Sequence, residues 1–239
     1  MPTNELYVND SYVTTCEAHV IKIEGEKVIL DQTVFYPTGG GQEHDTGVLI
    51  QENEVFDVHQ VKREKGEVIH YIKNAQQLKI GKVTARIDWE RRMGLMRHHS
   101  LLHVLGAVVY KKYGALCTGN KIYPTRARID FDHLQDVTDE QAEEIVRETN
   151  KILEEHYPIT LRYVSREEAE NISGVIKTSI NLLPPSIKTV RLVSISSIDE
   201  QACGGTHVSN TKEIGKMVLD KITSKGKNNK RFEVSLVRY

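Results

Sequence analysis

Only three cysteines, one tryptophan and four phenylalanines occur among the 239 residues. Cys16, Cys117 and Cys203 are widely spaced and odd in number. They build no disulfide framework, so the chain is expected in a reducing compartment, the cytoplasm. No stretch approaches the roughly 18 apolar residues that a membrane-spanning helix requires. The first six residues, Met1 to Leu6, have neither the basic region nor the apolar core of a secretion signal. A strong charge of either sign is missing too: 32 Lys and Arg face 33 Asp and Glu. An anionic partner must therefore be held by a local basic surface, since the whole-protein field offers little attraction. No internal repeat and no low-complexity linker interrupts the chain.

What is present divides near Asp88. Up to that point, short β-rich runs (His19 to Ile23, Lys27 to Leu30, Val48 to Ile50, Val55 to Val58, Glu67 to Ile72) alternate with turn-formers such as Gly25, Gly39-Gly40-Gly41 and Asp45-Thr46-Gly47. Spacing this tight leaves no room for long helices and predicts a small barrel-like domain over residues 1–88. From Trp89 or Glu90 to about Tyr113 an apolar helical pattern runs between Asp88, a capping residue, and Gly114, a stop. It opens a second domain, 89–239, where helix and strand patterns alternate. Arg126 to Phe131, Ile159 to Val164 and Val190 to Ile195 read as strands. Thr138 with Gln141, and Ser165 with Glu168, read as capping boxes over helices. Lys216 to Thr223 and Arg231 to Tyr239 read as a terminal hairpin. The class is α+β, with a mixed or antiparallel sheet covered by helices.

Two distant segments carry metal chemistry. His99 and His103 stand at i and i+4 on the predicted helix, so both imidazoles project from one face. Far downstream, Cys203 and His207 bracket Gly204-Gly205-Thr206, where the glycines let the loop bend until sulfur and imidazole converge. Thiolate and imidazole are the usual donors to Zn²⁺. The bland alternative has both histidines facing the sheet as neutral, hydrogen-bonded residues and Cys203 as inert core. Four ligands favour a closed structural ion and three with an open position favour chemistry, and spacing leaves both open. His98, about 100° away around the helix, is expected to face solvent or a partner.

Arg97-His98-His99-Ser100-Leu101-Leu102-His103 and Cys203-Gly204-Gly205-Thr206-His207 resemble the two halves of the zinc motif in the editing domain of alanyl-tRNA synthetase. The same pattern occurs in the free-standing alanyl-tRNA editing proteins of the AlaX family. Leu30 to Gln42 with Asp45-Thr46-Gly47 resembles their Gly-rich segment, and Asp88 to Arg92 and Ala127 to Phe131 fit the same pattern. Length and two-domain plan resemble the medium class. The resemblance implies that His99, His103, Cys203 and His207 hold Zn²⁺, and that the protein hydrolyses tRNA(Ala) mischarged with serine, with glycine as a second candidate. It places Thr33 near the amino-acid pocket, with Gln42 a polar contributor. Gly39, Gly40 and Gly41 are then candidates for backbone donation to substrate, and Arg91 and Arg92 for tRNA phosphates. Gly39 departs from the family spelling, in which a small polar residue commonly precedes Gly-Gly-Gln. Further basic groups are Arg97, Lys111-Lys112, the segment Lys121, Arg126 and Arg128, and the stretch from Lys212 onward, where eight basic residues face three acidic ones. A tRNA-binding module with structural zinc, and a zinc hydrolase of small esters or amides, are the competing functions.

Overall fold

A computed structural model of the chain describes residues 2–134, 136–172, 188–226 and 228–237. Their contacts divide into two units, Met1–Leu95 and Met96–Tyr239.

In the first unit the strands are β1 (Asn4–Glu5), β2 (Thr15–Glu24), β3 (Lys27–Leu30), β4 (Gln32–Thr33), β5 (Gly47–Gln51), β6 (Glu54–Glu64), β7 (Glu67–Ile72) and β8 (Gly81–Ile87). Six of them close an antiparallel barrel in the order β2-β3-β7-β6-β5-β8, and the short β1 and β4 pair in parallel beside it. Closure comes from β8, which pairs with both β2 and β5 and was not among the runs picked out by composition. The alternation that defines the interior is plain in β2 (Ala18, Val20) and β8 (Val83, Ala85, Ile87). These residues join Val28, Leu30, Leu49, Phe56, Val58, Val61, Val68 and Ile72 in one core. Each fully buried aliphatic side chain there contributes about 1.5–3 kcal/mol of transfer free energy. At Gly47 the β5 and β8 backbones come so close that a Cβ would sit 2.2 Å from the Arg86 carbonyl oxygen. Only glycine fits this crossing.

Strand β7 also buries a polar residue. His70 is fully buried, with Nδ1 3.2 Å from the Val28 carbonyl and Nε2 2.8 Å from Thr33 Oγ1. Burial pushes its pKa down to about 4, against the raising effect of the Val28 bond. The unfolded chain takes up this proton near pH 6.5, whereas the native state refuses it until about pH 4. Stability contributed by the neutral imidazole is therefore complete above pH 6.5 and falls by about 3 kcal/mol on acidification to pH 4. Denaturant unfolding at pH 7 and pH 4 should show a larger acid loss for the wild type than for His70→Asn. Equal losses would contradict this account.

Helix α1 (Trp89–Tyr113) begins in the first unit and continues into the second. Asp88 Oδ1 accepts the Arg91 amide at 3.1 Å, as a cap should. Its middle is buried around the whole circumference: Leu95, Met96, Leu101, Leu102, Val104, Leu105, Val108 and Val109 are all core. This corrects the expectation for His98, which is 4% exposed and does not face solvent. The helix has no solvent-facing side at that turn.

In the second unit follow β9 (Cys117–Ile122), β10 (Ala127–Phe131), α2 (Asp139–Glu154), β11 (Ile159–Ser165), α3 (Arg166–Asn171), β12 (Thr189–Ile195), β13 (Asp199–Ala202), β14 (Lys216–Ser224) and β15 (Lys230–Val237). They form a four-stranded antiparallel sheet, β14-β15-β10-β9, and a three-stranded one, β11-β12-β13. Thr138 and Gln141 complete the capping box of α2. The Ser165–Glu168 box has its amide half, Glu168 N to Ser165 Oγ, while the Glu168 carboxylate turns to Arg162. Asn150 of α2 exchanges two bonds with the Met217 backbone, at 3.0 and 2.8 Å, and so ties the helix to edge strand β14. The terminal hairpin is present as β14 and β15, and Arg238 and Tyr239 lie outside the described residues. Among the described residues, no helix is long and apolar enough to cross a membrane.

Candidate metal centre

On α1, His99 and His103 lie one turn apart with ring centroids 5.3 Å from each other. The loop after β13 brings in His207, 4.2 Å from the His99 ring and 4.6 Å from that of His103. Cys203 completes the group, its Sγ 3.4 Å from His99 Nε2 and 3.2 Å from His207 Nε2. One ligand atom from each of the four residues lies within 4.8 Å of all the others. Bonds of 2.0–2.3 Å in a tetrahedron separate ligand atoms by about 3.3–3.8 Å. The Cys203 spacings of 3.2 and 3.4 Å are close to this range, while spacings of up to 4.8 Å elsewhere in the group would have to close by as much as about 1 Å. Three imidazoles plus one thiolate form a suitable donor set.

The surroundings select which ring nitrogen faces inward. Asp199 Oδ2 lies 3.0 Å from His103 Nδ1 and accepts its proton, leaving Nε2 for the centre. Gln201 Nε2 donates to the same carboxylate oxygen at 2.7 Å. Ser100 Oγ stands 3.0 Å from His207 Nδ1 and also accepts the Val208 amide at 3.3 Å. Such outer partners fix tautomer and ring orientation in metal sites.

Electrostatics prepares the sulfur. Burial alone raises the Cys203 pKa, but the neighbouring His99 and His207 rings and the hydrogen bonds from His103 and His207 outweigh it, and the thiol is held well below its ordinary value. The Gly205 amide also donates to Sγ at 3.4 Å. Burial, with His99 adding to it, presses His207 down to about 3, which keeps that ring neutral. Burial likewise opposes charge on His103, yet Asp199 and Cys203 raise it to about 9. The centre thus favours a thiolate at Cys203 beside a neutral His207, and His103 would give up a proton on binding a metal.

The loop is held by Arg191 of β12. Its Nη1 donates to the carbonyls of Cys203 at 2.6 Å and Gly205 at 3.1 Å, while its own carbonyl accepts the Cys203 amide at 3.1 Å. Sequence reading missed Arg191, Ser100 and Asp199. Ser100 reads as a plain helix residue and Asp199 as part of an acidic connector. Their roles emerge only from the register of β12 against β13 and from the turn of α1.

The remaining sequence candidates belong to the first unit. Thr33 is fully buried; its hydroxyl meets His70 Nε2 at 2.8 Å and accepts the Phe35 amide at 3.1 Å. Since His70 Nδ1 donates to Val28, the Thr33 proton goes to Nε2. Gly39 and Gln42 exchange backbone bonds of 3.1 and 2.9 Å, and Gly40 and Gly41 between them take φ of 56° and 86°. This is a two-residue turn of the primed kind, which needs positive φ at both central positions. The Gln42 side chain is buried.

The two arginines differ sharply. Arg91 is partly exposed, with Nη2 3.0 Å from Glu43 and Nε 2.9 Å from the His44 carbonyl. Arg92 has no exposed side-chain surface. It pairs with Asp45 through Nε at 3.0 Å and Nη2 at 2.5 Å, and donates to the carbonyls of Ser11 and Val34. A phosphate has no access to it, so the expected tRNA contact is not supported at Arg92; its charge is consumed inside the protein.

Residues 8–91 match the family profile described as tRNA synthetases class II (A). Residues 190–233 match the threonyl and alanyl tRNA synthetase second additional domain. The alanyl-tRNA editing protein AlaX-M of Saccharolobus solfataricus is 44% identical over 96% of this chain and 97% of its own length. That of Methanosarcina barkeri is 39% identical over 98% and 99%. The alanine–tRNA ligase of Pyrococcus abyssi is 36% identical over 89% of this chain, which spans only 23% of the ligase. Near-complete mutual coverage at this identity, on a chain whose α+β unit carries the split His-Cys quartet, shows that the chain belongs to the AlaX-M alanyl-tRNA editing protein family.

Proposed function

We propose that the protein is a zinc-dependent trans-editing hydrolase that cleaves the aminoacyl ester of Ser-tRNA(Ala), with Gly-tRNA(Ala) as a second substrate, in the cytoplasm. The observation that carries this reading is the convergence of His99, His103, Cys203 and His207 in a chain similar from end to end to proteins named for alanyl-tRNA editing. Zinc held there would supply Lewis acidity toward an ester carbonyl or a water. The protein's own residues do the rest. Asp199 and Ser100 hold two imidazoles in orientation, and Arg191 keeps the Cys203 loop in place.

Discrimination requires more than volume, because an apolar pocket excludes an added hydroxyl poorly. A polar group matched to that hydroxyl discriminates far better, since alanine leaves it unsatisfied. Thr33 and Gln42 are proposed for this part. With its proton committed to His70, Thr33 offers an acceptor, so the serine hydroxyl would donate. The Gly39-Gly40-Gly41 turn is proposed to present backbone N–H groups to substrate, and Arg91 to add a phosphate contact.

Four protein ligands are also what a closed structural zinc has. The test is incubation of metal-verified protein with Ser-, Gly- and Ala-tRNA(Ala). Rapid loss of serine with alanine retained is the expected result. Saturable tRNA binding without turnover would select a non-catalytic module instead. Hydrolysis of a free small ester, indifferent to tRNA, would select a small-molecule hydrolase.

A further inference from the structure

The register of the four-stranded sheet sorts its side chains into two faces. Ala127, Ile129 and Phe131 of β10 and Phe232 and Val234 of β15 are buried. A Cβ at Gly106 of α1 would lie 3.9 Å from Ile129 Cδ1, so this is the helix-covered face. The alternate positions form the other face. Arg128 stands opposite Lys121 of β9 and Glu233 of β15, and Asp130 stands opposite Gly119 and Arg231. Beyond the strand ends, the Tyr123 amide donates to the Arg126 carbonyl at 2.9 Å and extends the ladder. Lys121 Nζ lies 5.6 Å and Arg126 Cζ 5.1 Å from the Tyr123 ring centre, which puts all three on the same side.

Charge on this face is uneven. Asp130 is neutralised by a two-pronged pair with Arg231, at 2.6 and 2.7 Å. At the β9–β10 corner, Lys121, Arg126 and Arg128 make no ion pair among the described residues, and Glu233 is the acid facing them in register. Other basic groups near the helices have been spent internally. Arg91 pairs with Glu43, Arg92 with Asp45 and Lys112 with Glu144, while Arg97 donates to the Ile214 carbonyl. In a chain of formal charge −1, this corner sets two cations against one aromatic ring, with Arg128 in register beside Lys121.

We infer that the β9–β10 corner of this sheet face, where Lys121, Tyr123 and Arg128 are half-buried and Arg126 is exposed, grips the phosphate backbone of the tRNA acceptor arm, with Tyr123 offering its ring to a ribose or base. Cations that keep no protein partner release counterions when they meet phosphates, which is the main source of RNA affinity. An aromatic ring flanked by cations is the arrangement on which nucleobases stack. The inference rests on the tRNA reading above, but it is tested on binding alone.

Fluorescence anisotropy with deacylated tRNA(Ala) across a salt series supplies the measurement. Lys121→Gln/Arg126→Gln/Arg128→Gln should weaken binding about tenfold or more, and should flatten the slope of log K against log salt by about three. Arg126→Gln alone, at the exposed strand end, should flatten it by about one. Tyr123→Phe should retain affinity that Tyr123→Leu loses. Lys111→Gln/Lys112→Gln, on α1, should stay within about twofold of wild type at every salt. Metal content by elemental analysis reports that each variant keeps its fold. An unchanged slope in the triple variant, with wild type binding normally, overturns the surface and leaves the tRNA reading intact. No binding of tRNA by wild type overturns both.

Discussion

Cys203→Ala should emerge from purification with its metal content reduced to a small fraction of one equivalent, and with Ser-tRNA(Ala) deacylation lowered by at least about two orders of magnitude. The sulfur is the one anionic donor of the quartet and lies 3.2–3.4 Å from two of the imidazole nitrogens. Its removal leaves three imidazoles and no anionic donor, a set that attracts a dication weakly by comparison. His103→Ala should act in the same direction. Asp199→Asn and Ser100→Ala should be milder, costing about 10–100-fold in metal affinity, because they disturb the orientation of a ligand and leave the ligand itself in place. Elemental analysis beside single-turnover deacylation gives both readouts. Full zinc occupancy in Cys203→Ala would reject the assignment. A loss of activity at full occupancy in Asp199→Asn would show that Asp199 acts beyond holding His103.

The second large effect is on stability. Asp45→Ala strands a guanidinium with no exposed surface, and breaking a buried pair in this way costs about 3–5 kcal/mol. That is a large share of the 5–15 kcal/mol that typically holds a protein folded. Asp45 also accepts the Tyr36 amide at 2.7 Å, so its loss leaves a buried donor as well. Denaturant unfolding should show the drop, while the salt slope of tRNA binding by the surviving folded protein should match wild type. Arg92→Gln should behave likewise. A loss below about 1 kcal/mol for Asp45→Ala would mean that water reaches the pair. An altered salt slope would restore Arg92 to the phosphate surface.

Arg92 shows where sequence reasoning stops. Two adjacent arginines look like a solvated basic patch, and what buries one of them is a carboxylate 47 positions earlier that only the folded chain brings near. By contrast, α1 is legible to within about a residue at its start, because Asp88 and Gly114 bracket it and its apolar positions repeat at helical spacing. The four candidate ligands are legible for the same local reasons, i and i+4 on a helix and a Cys-Gly-Gly-Thr-His bend. Arg191, Asp199 and Ser100 are not, since each is selected by strand register or helix rotation, which local spacing does not encode. The barrel was readable as a class from dense turns and β-branched runs. Its closure was not, since β8 has an unremarkable composition and closes the barrel by meeting two strands far from it in sequence.

The two halves of the quartet leave the ribosome at different times. Cys203 follows His99 by 104 residues, which at ordinary elongation rates amounts to about 5–20 seconds of synthesis. During that interval the nascent chain shows the cell a histidine pair with no thiolate beside it. A pair of this kind holds cations loosely and exchanges them freely, so commitment to one ion waits for the last fifth of the polypeptide. An ion held by all four residues together would thereby be fixed only after the Cys203-to-His207 loop has been made.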